Sequence, residues 1–197
     1  MKTIIFDVDG VLADFVKAFV KTAQLYWPKI RSTDTRSQKT WSFQPLMTEM
    51  QEAAVWVKVY HSRYFWQRIE TLVGSPIFAR IDALAQENLV YFVTDRASRY
   101  NAQRQTYYWL EQNGIMRPNV IVSKRKGDIA RAVGATHVIE DKWDNAQCIH
   151  WISDSPQTKV YLLNRPYNQV PDAPHIGAKG VTRVRSLNMF LSMMEEA

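Results

Sequence analysis

One cysteine, Cys148, occurs in 197 residues, so no disulfide can close within the chain. The four histidines, His61, His137, His150 and His175, stand far apart, and no Cys/His cluster has the spacing of a zinc site. This argues against structural zinc, and the histidines receive no role. No apolar run approaches the roughly 18 to 20 residues needed to cross a bilayer, and the N-terminus lacks a basic segment followed by a secretory apolar stretch. The expected setting is the cytoplasm, without a membrane partner, where a lone thiol stays reduced. A glycine-rich loop ending in Gly-Lys-Ser/Thr is also missing, which rules out a P-loop kinase. With 46% hydrophobic and 22% charged residues, the chain lacks the signature of disorder and is expected to fold. Its length allows one core with at most a small insertion. A formal net charge of +6 suits anionic partners, because a positive field concentrates phosphates, but it equally describes a merely basic surface.

Thr3-Ile4-Ile5-Phe6 is a continuous β-branched and aromatic run, as in a strand buried on both faces of a parallel sheet. From Leu12 the period changes. Leu12, Phe15, Val16, Phe19, Val20 and Ala23 recur at three- and four-residue steps, which predicts an amphipathic helix. Further apolar runs at Leu89 to Val93, Val120 to Val122, His137 to Ile139 and Val160 to Leu163 alternate with helical segments, so the fold class is α/β with a mainly parallel sheet. One helix is expected from about Ser98 to Asn113-Gly114, and another over the Leu187, Phe190, Leu191, Met194 repeat. Arg165 to Pro174 reads as a loop. Between about Tyr26 and Gly74 the alternation breaks: no strand is visible, and Trp41, Phe43, Trp56, Tyr60, Tyr64, Phe65 and Trp66 crowd together. This stretch is read as a helical insertion.

Chemistry concentrates where the predicted strands end. In an extended backbone Asp7 and Asp9 project the same way, so two carboxylates share one small site at the carboxyl end of a strand. Like charges this close call for a hard divalent cation. A helix-loop-helix calcium loop needs further acids and a closing glutamate that are absent. Thr94 ends the second strand with a hydroxyl able to donate to a phosphoryl oxygen, and Arg96 offers a forked cationic contact. In Ser123-Lys124-Arg125-Lys126-Gly127-Asp128 a lysine can neutralise acids and phosphate; Lys126 is preferred and Lys124 is its rival. In Glu140-Asp141-Lys142-Trp143-Asp144, Asp141 is placed to reach the cation, with Glu140 or Asp144 orienting waters behind it.

An acidic pair, a hydroxyl, a lysine and another acid, each near a strand end in this order, resemble the four motifs of the haloacid dehalogenase superfamily over nearly the whole chain. Within it, the opening FDVDGVLADF, the insertion length, YFWQRIETLVGSP, the YYWLEQ helix and the late YLLNRPYN look like 5′(3′)-deoxyribonucleotidases. The resemblance implies a Rossmann-like three-layer α/β/α core from residues 1–16 and 76–197, with residues 17–75 as a helical cap. It further implies a magnesium-dependent phosphatase of nucleoside monophosphates. Asp7 is then nucleophile, Asp9 acid and base, and Thr94 and Lys126 hold the phosphoryl group. Asp7, the Asp9 carbonyl and Asp141 become ligands of Mg²⁺. Asp95 and Arg96 lie beside the substrate, and cap aromatics Phe43, Tyr64, Phe65 and Trp66 are candidates to stack on a base. Asp95 and Arg96 stand where those nucleotidases usually carry serine and proline. The hydroxyl-x-Arg pattern with RKGD and ED looks instead like the phosphatase half of polynucleotide kinase-phosphatases. A small nucleotide, another phosphate monoester and a nucleic acid end all remain open, as does the oligomeric state, a homodimer included.

Overall fold

The computed structural model describes residues 1–153, 158–169 and 180–196. Six strands, β1 (Thr3–Phe6), β2 (Leu89–Thr94), β3 (Asn119–Val122), β4 (His137–Glu140), β5 (Lys159–Leu163) and β6 (Val181–Val184), form one sheet in the order β3-β2-β1-β4-β5-β6. Every pairing is parallel, with Ile4 opposite Val90 on one side of β1 and His137 on the other. The chain therefore winds outward in opposite directions from β1. The carboxyl ends of β1, β2 and β4 lie side by side at the switch point, where open parallel sheets place their ligands.

Alternation along β1 divides the core into two faces. Ile4 and Phe6 share one buried cluster with Phe78 and Ile81 of α3 (Ser75–Glu87), Trp109 and Leu110 of α4 (Ala102–Gln112), and Phe190 and Leu191 of α7 (Leu187–Glu195), and that cluster continues into Val16 and Phe19 of α1 (Phe15–Gln24). Ile5 turns the other way, toward Ala130 of α5 (Lys126–Ala132) and Ala146 and Ile149 of α6 (Trp143–Ser153). The result is a three-layer α/β/α, Rossmann-like fold. Each fully buried aliphatic or aromatic side chain contributes ~1.5–3 kcal/mol to it. Between α1 and α3 the only regular element is α2 (Glu49–His61), started by a reciprocal Thr48–Gln51 capping box.

Three elements differ from the sequence expectations. β6 is an extra edge strand, short and half polar as Val-Thr-Arg-Val, with too little apolar periodicity to announce it. α4 starts at Ala102 rather than near Ser98, because Asn101 adopts a left-handed backbone (φ 58°) and caps Arg104 N at 2.9 Å. The Arg165–Pro174 passage contains a 3-10 turn at Pro166–Asn168, while residues 170–174 lie outside the described residues, as does His175. No helix among the described residues is long and apolar enough to cross a membrane.

His137, at the start of β4, lies nearly flat against Tyr161 with ring centroids 6.1 Å apart. Burial, aided by Lys159 and Lys2, lowers its pKa to about 4. The unfolded chain takes up this proton near pH 6.5 and the folded chain does not. His137 thus leaves stability intact above about pH 6.5 and erodes it as pH falls toward about 4. A His137→Phe variant is expected to lose this part of the acid-side decline in a thermal-midpoint titration, and an unaltered decline would refute the assignment.

Candidate active site

Phe6 ends β1, and the chain turns sharply: Leu12 N and Ala13 N both donate to Val8 O, at 2.9 and 2.8 Å, and Val8 N donates to Asp7 Oδ1 at 2.7 Å. Gly10 makes the turn possible. Its φ of 84° is left-handed, and a Cβ there would meet Asp141 Oδ2 at 1.9 Å. The missing side chain is what lets the end of β4 close onto the end of β1. Arg165 Nε donates to Gly10 O at 2.8 Å and Asn168 Nδ2 to Asp141 O at 2.7 Å, so the segment after β5 braces both strand ends.

Asp7, Glu140 and Asp141, all buried, each present a carboxylate oxygen within 4.8 Å of the others. Three carboxyl groups face one ammonium: Lys126 Nζ contacts Asp7 Oδ1 at 2.7 Å and also binds Glu140 Oε1. Tyr167 OH donates to Asp141 Oδ2. Asp141 Oδ1 is buried and has no hydrogen-bond partner among the described residues. Burial, then Glu140, pushes the Asp7 carboxyl well above the usual range against the pull of Lys126, and the same two causes raise Asp141. Burial works against the Lys126 charge, but Asp7 and Glu140 outweigh it and hold the lysine protonated. Burial and Asp141 likewise keep the Tyr167 hydroxyl protonated. Hard oxygen donors, excess negative charge and an orphaned acceptor suit a hard divalent cation.

Asp9 sits beside this cluster. Its Oδ2 accepts from Thr94 Oγ1 at 3.0 Å and Arg96 Nε at 2.9 Å, and its Oδ1 accepts from Arg96 Nη2 at 2.8 Å. The Arg96 fork, read from the sequence as a phosphate contact, is therefore engaged by Asp9.

A cavity of about 310 Å³ opens over these groups. Asp7, Asp9, Thr94 and Lys126 reach it from the strand ends, with Asp95, Lys124, Lys142 and Asn145 around them. Phe15, Trp41, Phe43, Trp56 and Trp66 supply aromatic wall, and Glu52 adds a carboxylate one helical turn before Trp56. Lys142 Nζ lies 3.6 Å from the centre of the Trp41 ring. A wider depression of about 540 Å³ against β3 and α4 has no acid among its lining residues and lies away from this chemistry.

Several expected residues fall elsewhere. Tyr64 is exposed and stacks under Arg68 at 5.0 Å, lining a separate shallow depression. Phe65 packs edge-on against Trp66 at 4.9 Å, behind the cavity wall. Asp144 is exposed on the first turn of α6, because a helix that aims Asn145 at Glu140 must turn its neighbour away. Glu140, assigned an outer role, belongs to the carboxylate cluster itself. Lys124 is exposed at the cavity edge and Lys126 is buried at the cluster. Sequence reading missed Trp41, Trp56, Glu52, Lys142, Asn145, Arg165 and Tyr167 as site residues. The two tryptophans stood out only as part of an aromatic crowd, and Arg165 and Tyr167 only as part of YLLNRPYN.

Comparison with known proteins adds to this geometry. The family model described as 5′ nucleotidase, deoxy (pyrimidine), cytosolic type C protein matches residues 1–176. No curated protein matches the chain significantly. Among solved structures, a HAD family hydrolase from Deinococcus radiodurans R1 with bound phosphate and sodium superimposes with a TM-score of 0.62 at 12% identity, covering 100% of this chain and 96% of that one. A haloacid dehalogenase-like hydrolase from Burkholderia xenovorans LB400 gives 0.62 at 13% identity, covering 100% and 98%. D,D-heptose 1,7-bisphosphate phosphatase from B. bronchiseptica, complexed with magnesium and phosphate, gives 0.57 at 15% identity, with both chains fully covered. At these identities the likeness establishes the haloacid dehalogenase-like fold.

Proposed function

The chain belongs to the family of cytosolic type C 5′ deoxynucleotidases and is a phosphate monoester hydrolase, and on that premise we propose that it hydrolyses nucleoside monophosphates in a magnesium-dependent reaction through an aspartyl-phosphate on Asp7. One observation carries this reading: three buried carboxyl groups meet a protonated lysine, and one of them, Asp7, faces with that lysine into an aromatic-walled cavity of about 310 Å³. That volume suits a ligand of mononucleotide size.

Asp7 attacks phosphorus in line, and its new O–P bond forms as the ester P–O bond breaks. Asp9 gives its proton to the departing alcohol oxygen. In the second half Asp9 takes a proton from water, which attacks the same phosphorus and releases Asp7. Dividing the displacement replaces one difficult step with two easier ones, and the placed carboxyl group contributes ~10²- to 10⁴-fold. Lys126 holds a phosphoryl oxygen, with Lys124 at the cavity edge, and Thr94 joins it by turning its one hydroxyl proton from Asp9 Oδ2 to the phosphoryl group. Asp7, the Asp9 carbonyl and Asp141, backed by Glu140, would hold Mg²⁺, which supplies charge neutralisation for the phosphoryl oxygens. Residues 17–75 act as a cap over a core of 1–16 and 76–197. Trp41, Phe43, Trp56 and Trp66 are its surfaces for a base, and the cytoplasm is the site of action.

A 3′-phosphatase of nucleic acid ends keeps the net charge of +6 that motivated it, while its other motive, Arg96, is buried behind Asp9 and bonds to Asp9 and Thr106. The test is phosphate release from ribo- and deoxynucleoside 5′- and 3′-monophosphates, sugar phosphates and a 3′-phosphorylated oligonucleotide, with Mg²⁺ or with chelator. Turnover is expected on a mononucleotide and is lost with chelator. Trp56→Ala is expected to raise KM roughly tenfold with kcat nearly unchanged, the scale of ~1–3 kcal/mol for one stacked base. Failure of every mononucleotide to turn over removes the reading, and faster turnover of the oligonucleotide reinstates the alternative.

A further inference from the structure

Both oxygens of Asp9 are engaged by one guanidinium. Arg96 donates through Nε to Oδ2 at 2.9 Å and through Nη2 to Oδ1 at 2.8 Å, and Thr94 adds a third donor at 3.0 Å. Arg96 is only 2% exposed, so water does not reach the guanidinium, while Asp9 keeps a partly open side toward the cavity. The fork is itself fixed: Nη1 donates to Thr106 Oγ1 of α4 at 2.9 Å, and the guanidinium lies 5.0 Å from the Trp66 ring and 5.7 Å from the Trp109 ring. Asp9 faces the cavity while Arg96 stands behind it, outside the lining.

A carboxylate on a turn rotates about two side-chain bonds, whereas a planar fork fixes both the direction and the plane of the group it grips. The geometry points to Arg96 as the residue that positions Asp9 for proton transfer, acting through that carboxylate and not on the phosphate. This rests on the reading of Asp9 as proton donor. In that step the Asp9 O–H bond breaks and the leaving alcohol oxygen takes the proton, as the ester P–O bond gives its electron pair to that oxygen and Asp7 supplies the pair for the new O–P bond. An aryl leaving group departs as a stable phenolate and needs no such proton. Arg96 should therefore matter for a nucleotide and hardly for an aryl phosphate.

The experiment compares kcat/KM for a nucleoside monophosphate and for p-nitrophenyl phosphate, with Mg²⁺, in wild type, Arg96→Met, Arg96→Lys and Asp9→Asn. Since kcat/KM ends at the first irreversible step, it excludes the later hydrolysis. Arg96→Met is expected to lose ~10²-fold on the nucleotide, as a misplaced catalytic group does, and less than about tenfold on the aryl ester. Arg96→Lys, which keeps the charge and loses the fork, is expected to recover only part of the difference. Any unfolded fraction lowers both substrates alike and cancels in their ratio. Equal losses overturn the inference and leave Arg96 a structural role; a raised KM on both substrates with kcat unchanged overturns it in favour of a phosphate contact. Nucleotide turnover retained by Asp9→Asn overturns the reading of Asp9 and the inference with it. An inactive Asp9→Asn beside equal Arg96→Met losses overturns the inference alone.

Discussion

Replacing Asp7 with asparagine is expected to reduce kcat by roughly 10⁵-fold or more, the scale on which an enzyme loses activity when its covalent nucleophile is removed. The same change is expected to leave the metal-free fold at least as stable. Burial and Glu140 hold the Asp7 and Asp141 carboxyls above the ordinary range, so the native chain keeps protons that the unfolded chain releases from about pH 4 upward. That contribution is present below about pH 4 and is lost as pH rises through the raised native values. Asparagine carries no charge to desolvate, so the variant should show a shallower decline toward neutral pH. Its thermal midpoint should rise by ~2–4 °C for each kcal/mol recovered. Stabilisation by added Mg²⁺ should shrink in parallel. An Asp7→Asn protein that still turns over phosphate esters at the wild-type rate would falsify the assignment of the nucleophile.

Lys126→Met should act in the opposite sense on stability. Lys126 is the ammonium that touches both Asp7 and Glu140 in this buried cluster, and removing one member of a buried ion pair costs about 3–5 kcal/mol because the remaining charges stay uncompensated. Activity should fall by ~10²- to 10³-fold, the usual loss when a group matched to transition-state charge is removed. The stability gap from wild type should narrow on acidification, as the carboxyl groups neutralise themselves by taking up protons. Denaturant titrations at two pH values measure this directly, and a gap that widens in acid contradicts the proposed balance of charge. The pair of variants separates two kinds of buried group: one whose charge serves chemistry at the expense of folding, and one whose charge makes that acceptable.

The strand ends were legible because two local patterns are hard to mistake. The continuous apolar run before Asp7 announces a buried parallel strand, and the switch to a helical period after Leu12 locates the turn between them. Similar runs announce β2, β4 and β5, and hence the neighbourhoods of Thr94 and Asp141. What was not legible is which way each side chain turns once the strands are neighbours. Thr-Asp-Arg gives no hint that the arginine reaches back 87 positions to Asp9. Glu140 and Asp144 look equivalent on paper, yet one ends a buried strand and the other faces water from a helix. The aromatics between α1 and α3 are harder still, since without a strand to impose alternation nothing in their spacing separates Trp56, which lines the cavity, from Tyr64, which does not. Tyr167 illustrates the limit: a residue in an irregular stretch that donates to Asp141 Oδ2 carries no periodic signal.

The position of β1 at the centre of the sheet has a kinetic side. Its partners begin at Leu89 and His137, so the earliest strand in the sequence waits for the middle and then the later part of the polypeptide before either flank is covered. Pairings this distant along the chain pay the entropy of closing long loops before any contact repays it, and they slow folding. Recovery of catalysis after dilution from denaturant is therefore expected to require the docking of β4, since Asp141 arrives with that strand. A helical signal on its own would report on collapse and say nothing of a competent site.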